Sequence, residues 1–119
     1  MDSSTKLSAI AGDESVQSTS VEPSDDIKPE DLVHSLCDEY SRKILQVVDD
    51  EPHTASEIAS AADIPLSTTY RKINTLIELG FLAEQIRLSS SGHHAQEYSR
   101  PVEAVRVSFG SEIDVKLEY

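Results

Sequence analysis

Ser67, Thr68, Arg71, Lys72, Asn74 and Thr75 place three hydroxyls, an amide and two cations in one short stretch of the chain. Groups of this size and polarity suit hydrogen bonding to base edges and ion pairing with phosphates. Enzymatic chemistry has no comparable signature. The sequence offers no paired carboxylates, no nucleophile–base set and no glycine-rich phosphate loop, so an enzyme is not expected. Winding residues 66–79 at 100° per residue separates two faces. Leu66, Tyr70, Ile73, Leu76 and Ile77 gather on one side. Ser67, Thr68, Arg71, Asn74 and Thr75 gather on the other, with Lys72 at its flank.

The elements that would hold this face follow from local signals. Thr54 with Glu57 three residues later is a capping box, which starts a helix. Ile58, Ala59 and Ala62 give that helix a narrow stripe of small apolar residues. Asp63-Ile64-Pro65 ends it, because the residue before a proline is driven out of the α region. Ser67 is the expected N-cap of the next helix, spanning 67–79, and Gly80 is its expected C′ residue. Upstream, Pro29-Glu30-Asp31 opens a helix with proline in the first turn and carboxylates at the positive end of the dipole. Leu32, Val33 and Leu36 are its apolar contacts. Tyr40, Ile44, Leu45, Val47 and Val48 form a second amphipathic helix that restarts at Asp38 or Ser41 and ends before Asp49.

Downstream, residues 82–88 alternate as a strand, Ser89-Ser-Ser-Gly-His-His is turn material, and residues 95–100 form the return strand. The hairpin tip would carry Ser90, His93 and His94, with Arg87 and Arg100 on the flanking strands. Adjacent histidines on a strand or turn point apart, so no metal site is expected there. His34 and Cys37 lie at i, i+3 on the first helix. With Cys37 the sole cysteine, it is expected as a small buried hydrophobe rather than a ligand.

The segment from Ile64 through Leu82, with Leu36-Cys-Asp-Glu-Tyr-Ser-Arg-Lys-Ile-Leu before it and Gly92-His-His-Ala-Gln-Glu-Tyr after it, resembles winged helix-turn-helix transcriptional regulators. It is most similar to the ArsR-like group abundant in halophilic archaea. The resemblance spans residues 30–100. It implies an α+β fold of three to four helices with a β-hairpin wing over residues 82–100. It further implies a recognition helix in the major groove and a wing on the backbone or minor groove of double-stranded DNA. Thr54, Ser56, Ser67, Thr68, Tyr70, Arg71, Lys72, Asn74, Thr75, Arg87, His93, His94 and Arg100 are then the candidate DNA contacts, with Arg87 and Arg100 on phosphates. Neither cofactor nor metal is implied.

The 119 residues leave room for one domain and a tail. A formal charge of −12 argues at first against nucleic acid, but its distribution matters. Residues 1–31 hold eight acids and two bases, and residues 32–119 hold fourteen acids and eight bases, each half summing to −6. Between Ile58 and Leu82 the acids are Asp63 and Glu78 alone, against Arg71 and Lys72. An acidic surface of this kind keeps a protein soluble in concentrated salt. There the Debye length shrinks to about 3 Å, so a long-range basic field would contribute little. No apolar run is long enough to span a membrane, and Met1-Asp-Ser-Ser-Thr lacks a signal peptide's basic start. A cytoplasmic location is expected.

Residues 1–28, rich in Ser, Thr, Asp and Glu, are expected as a disordered acidic tail, with residues 29–100 as the DNA-binding domain. Residues 101–119 form a further hairpin. Val105, Val107 and Phe109 alternate, Gly110-Ser-Glu turns the chain, and Ile113, Val115, Leu117 and Tyr119 alternate again. Its apolar face must be covered, by the first helices of the same chain or by a second copy in a homodimer. The expected function is a sequence-specific DNA-binding regulator acting as a homodimer. The alternative is a winged-helix module that binds a protein of the transcription machinery.

Overall fold

A computed structural model describes residues 20–49, 51–88, 92 and 94–119. In order they form β1 (Ser20–Val21), α1 (Pro29–Cys37), α2 (Glu39–Val47), β2 (His53–Thr54), α3 (Ala55–Ala62), α4 (Leu66–Glu78), β3 (Ala83–Leu88), β4 (His94–Ser99), β5 (Ala104–Phe109) and β6 (Ile113–Glu118). Helices α2, α3 and α4 pack on one another, and the sheet β2–β4–β3 closes against them through β4. This is the α+β winged helix-turn-helix arrangement, and β3–β4 is the wing. The second sheet, ordered β1–β6–β5, lies against α1 through β6.

Each helix boundary has a chemical cause. Pro29 occupies the first turn of α1, with Glu30 and Asp31 beside it. The chain turns extended at Asp38, whose carboxylate accepts from the Ser41 amide at 2.8 Å and so caps α2. In the capping box of α3, Thr54 Oγ1 accepts from the Glu57 amide at 3.2 Å, and Glu57 Oε1 accepts from the Thr54 amide at 2.9 Å. Asp63 ends α3 in the left-handed region at φ 58°, a conformation short polar side chains tolerate.

At the far end of α4, Gly80 has φ +89°. The Gly80 amide donates to the Ile77 carbonyl at 3.0 Å and the Phe81 amide to that of Leu76 at 2.9 Å, the pair of bonds of a Schellman motif. A Cβ on Gly80 would meet only Leu117 Cδ1 at 3.7 Å. Backbone conformation, not space, therefore requires the glycine.

The core joins all these elements. Leu32, Ile44, Ile58, Ile73, Leu76, Phe81 and Leu82 are buried together with Val48, Ile64, Tyr98, Val102, Val115 and Leu117. Leu36, Leu45 and Ile77, which pattern alone places inside, are only partly buried at its edge.

Several expectations are corrected. Residues 20–28 are not a free tail. Ser20 and Val21 pair with Glu118 and Leu117, and Ile27 packs on the core. This short piece gains β-pairing on the β6 edge that composition does not reveal; residues 1–19 lie outside the described part. Ser67 does not cap α4. Pro65, fixed at φ −57° and ψ 143°, is already the last extended residue, so the helix starts at Leu66. Cys37 is exposed, because α1 turns Leu32 and Ser35 inward and Cys37 falls on another side. Tyr40 is likewise exposed on α2.

Candidate nucleic-acid interface

Helix α4 is held by a narrower stripe than its composition suggests. Thr69, Ile73 and Leu76 are buried, whereas Leu66 and Tyr70 stand 44% and 46% exposed. Thr69 can occupy the core because its hydroxyl donates to the Pro65 carbonyl at 3.0 Å, and its amide reaches the same oxygen at 2.9 Å. No buried polar atom is thereby left unpaired. Opposite the stripe, Ser67, Arg71, Asn74, Thr75 and Glu78 are exposed, and Thr68 is half-buried. Arg71 makes no hydrogen bond or ion pair with any described residue, so its guanidinium is available to a ligand. Thr75 Oγ1 donates to the Arg71 carbonyl at 3.3 Å, a bond along the helix that leaves its second lone pair free.

Lys72 is differently placed. Its Nζ lies 3.1 Å from Asp38 Oδ1, joining α4 to the cap of α2. Burial pushes the Asp38 carboxyl upward, but the Ser41 amide and the Lys72 ammonium outweigh it and hold the group below its usual value. Asp38, Lys72, Arg71, Thr75 and Glu78 line a polar groove between α1 and α4 of about 320 Å³, with Asp31 and His34 on its opposite wall. Lys72 therefore serves as a strut between helices.

The wing is anchored through its odd-numbered face. Arg87 Nε donates to Glu97 Oε2 at 2.6 Å, and both its terminal nitrogens reach the Glu57 carboxylate at 3.3 Å. Gln85 Nε2 donates to the other oxygen of Glu97 at 2.8 Å. The Thr54 amide and then the Arg87 guanidinium hold Glu57 below its ordinary value. Glu97 is lowered mainly by the Gln85 amide, with Arg87 adding to it against the opposing effect of burial. Glu57, then Glu97, raise Arg87. This network ties the start of α3 to both wing strands. It also occupies the arginine expected on phosphate.

Arg100 is engaged still more fully. Its Nε donates to the carbonyls of Leu45 at 3.0 Å and Val48 at 2.9 Å, and its Nη1 to that of Val102 at 2.6 Å. These are end-of-helix carbonyls of α2, which lack intrahelical partners. Arg100 thus acts as a C-terminal cap that pins the post-wing segment to α2, a role opposite to the expected phosphate contact.

The remaining candidates are more dispersed. Thr54 is spent in its capping box, Ser56 is exposed on α3, and His94 is exposed where β4 begins. Ser89–Ser91 and His93 lie outside the described residues. On the even-numbered wing face, Glu84 pairs across with Tyr98, Ile86 with Gln96 and Leu88 with His94. Burial, followed by Glu84 and Tyr70, raises the Tyr98 phenol, which places that face on the side of α4. Sequence reasoning missed Ile86 and Leu88, which are 58% and 74% exposed. Alternation put them on one strand face but could not tell whether the core reaches that far.

Residues 36–85 match the family model described as a helix-turn-helix domain. The match runs from the end of α1 through α4 into β3, and so contains the Thr54 cap, the Pro65 break and the Gly80 stop. No curated protein matches the chain. Helix-turn-helix domains are DNA-binding elements whose second helix enters the major groove, and α4 is that helix here. Among the described residues no helix is long and apolar enough to cross a membrane.

Proposed function

We propose that this chain is a sequence-specific DNA-binding transcriptional regulator of the winged helix-turn-helix type. The observation that carries this reading is the division of α4. Three fully buried or nearly buried side chains fix the helix from behind, while Ser67, Arg71 and Asn74 stand exposed on its outer face with the Arg71 guanidinium unpartnered among the described residues. Arg71 sits where a bidentate contact to guanine O6 and N7 is possible, and Asn74 one turn on suits adenine N6 and N7. Ser67 and Thr68 at the start of the helix approach the backbone, with Ser56 and His94 at the margins. The ArsR-like resemblance and the acidic surface accord with a cytoplasmic regulator working in concentrated salt.

The functional unit is a homodimer on a two-fold-related operator. Val105, Val115 and Leu117, at the base of β5–β6, pack on the chain's own core, whereas Val107, Phe109 and Ile113 near its tip are 37%, 79% and 43% exposed. Phe109 and Ile113 are cross-strand partners, so they form one apolar patch. A second copy would cover it. Recognition helices in such a dimer bind half-sites about 10–10.5 base pairs apart or at multiples of that spacing.

The test is selection of binding duplexes from a random pool by the full chain in molar KCl. Enrichment of a paired, inverted motif supports the reading. A pool that stays random after repeated rounds would remove it.

A further inference from the structure

DNA-binding surfaces ordinarily gain affinity by placing Lys and Arg against phosphates and releasing counterions. This molecule has little to offer in that way. On α4 and the wing, Lys72 is held by Asp38 and Arg87 by Glu57 and Glu97. That leaves Arg71 as the one cation there without a partner among the described residues. The wing itself carries Glu84 and Glu97 against Arg87 alone in β3 and β4. A wing that grips the backbone by charge is therefore not what this hairpin is built to be.

Its exposed tip is aliphatic instead. Ile86 and Leu88 are 58% and 74% exposed on neighbouring same-face positions of β3, about 7 Å apart along the strand. Their cross-strand neighbours Gln96 and His94 are uncharged or weakly charged. The same face, followed toward the base, carries Tyr98, which is buried on the side of Tyr70 of α4. Leu88, four residues beyond Glu84, extends this surface about 13 Å past the core. The Glu57–Arg87–Glu97 network fastens the opposite wing face to α3, so the tip projects at a fixed angle from the body that presents α4. Minor grooves accept apolar side chains against sugar walls and between base steps.

We propose that the wing engages the minor groove next to the major-groove site of α4 by apolar contact through Ile86 and Leu88, not by phosphate pairing. This rests on the DNA-binding reading of α4 and adds to it a salt-tolerant second contact. The acidic surface and the aliphatic tip then serve one end. Concentrated salt erodes phosphate pairing and leaves apolar burial intact.

The experiment uses the full chain and a duplex it selects from a random pool, with affinity read by fluorescence anisotropy from 0.2 to about 2 M KCl. With one free cation per protomer at the interface, the slope of log affinity against log salt should be no steeper than about −2 for a dimer. Ile86→Ser combined with Leu88→Ser should weaken binding about 10–100-fold at every salt concentration without altering that slope. Both side chains are exposed, so the melting temperature should hold. A second measurement needs no variant: inosine for guanosine, or diaminopurine for adenosine, in the base pairs flanking the selected motif changes only minor-groove groups. The wild-type chain should respond to these bases and the double variant should not.

Unchanged affinity in the double variant overturns the proposal and assigns Ile86 and Leu88 to a protein partner, with the α4 reading left standing. A steep salt slope, or indifference of the wild-type chain to the minor-groove bases, also overturns it. Failure of the wild-type chain to bind any duplex removes both the wing contact and the reading beneath it.

Discussion

The two hairpins β3–β4 and β5–β6 have strands of equal length and carry exposed apolar side chains toward their tips, yet different forces fasten them to the helices. The C-terminal hairpin is held at its base by burial: Val115 and Leu117 are 2% and 4% exposed, and Leu117 lies against the turn at Gly80. The wing is held by the Glu57–Arg87–Glu97 network, with Tyr98 its one large buried side chain. Burial against the core costs the hairpin the use of that surface for anything else. A polar clamp at the rear leaves the wing's other face free. The contrast suits a structural hairpin that extends the fold and a wing that presents a ligand face.

If that contrast holds, damage at the two bases should differ greatly. Val115→Asp places a carboxylate with no partner in the core and should cost about 4 kcal/mol or more, enough to leave most of the chain unfolded in a urea titration. A stable, cooperatively folding variant would show that β5–β6 is an appendage, not part of the core. On the polar side, Thr54→Ala removes the capping hydroxyl beneath Glu57 and should cost about 0.5–2 kcal/mol by the same measurement. A larger loss would mean that the clamp carries more of the fold than the geometry implies.

Acid should loosen the wing and spare the C-terminal hairpin. Glu57 and Glu97 both have carboxyls held below the ordinary value of 4.5. Their contribution is therefore fully present above that value and is lost as the pH falls through the lowered ones. Exchange of the wing amides should rise in that acid range before that of β6. The wild-type melting temperature should fall more steeply there than in Glu57→Gln. Parallel loss in both hairpins would count against separate modes of attachment. The smallest stability effect is expected at the other tip. Phe109→Ser should shift unfolding by within about 0.5 kcal/mol, while light scattering at micromolar concentration moves from dimer toward monomer. An unchanged dimer would place the interface elsewhere.

What the sequence made legible here was local. The Thr54–Glu57 box, the Pro65 break and the Gly80 stop each depend on residues within four positions, and each stands in the structure. The two hairpins were likewise visible from alternation. What escaped was every partnership across long separations. Arg100 looked like a phosphate ligand until Leu45, Val48 and Val102 were seen to surround it. Arg87 was misjudged for the same reason, since Glu57 comes from a helix thirty residues earlier. Burial at the ends of faces was also hidden. Leu66 and Tyr70 share a side with Ile73 by angle, but the core stops short of them and takes Thr69 instead. Charged side chains on strands and apolar ones at helix ends carry the same letters whether they serve the fold or a ligand.

The central claim, that the outer face of α4 reads base sequence, is tested most directly by the affinity of Arg71→Ala for its selected duplex and for random DNA, measured side by side at one salt concentration. The account predicts a loss of about 1–3 kcal/mol on the selected duplex, little change on random DNA and a relaxed preference at one base pair. An equal loss on both would make Arg71 a phosphate contact and contradict the claim.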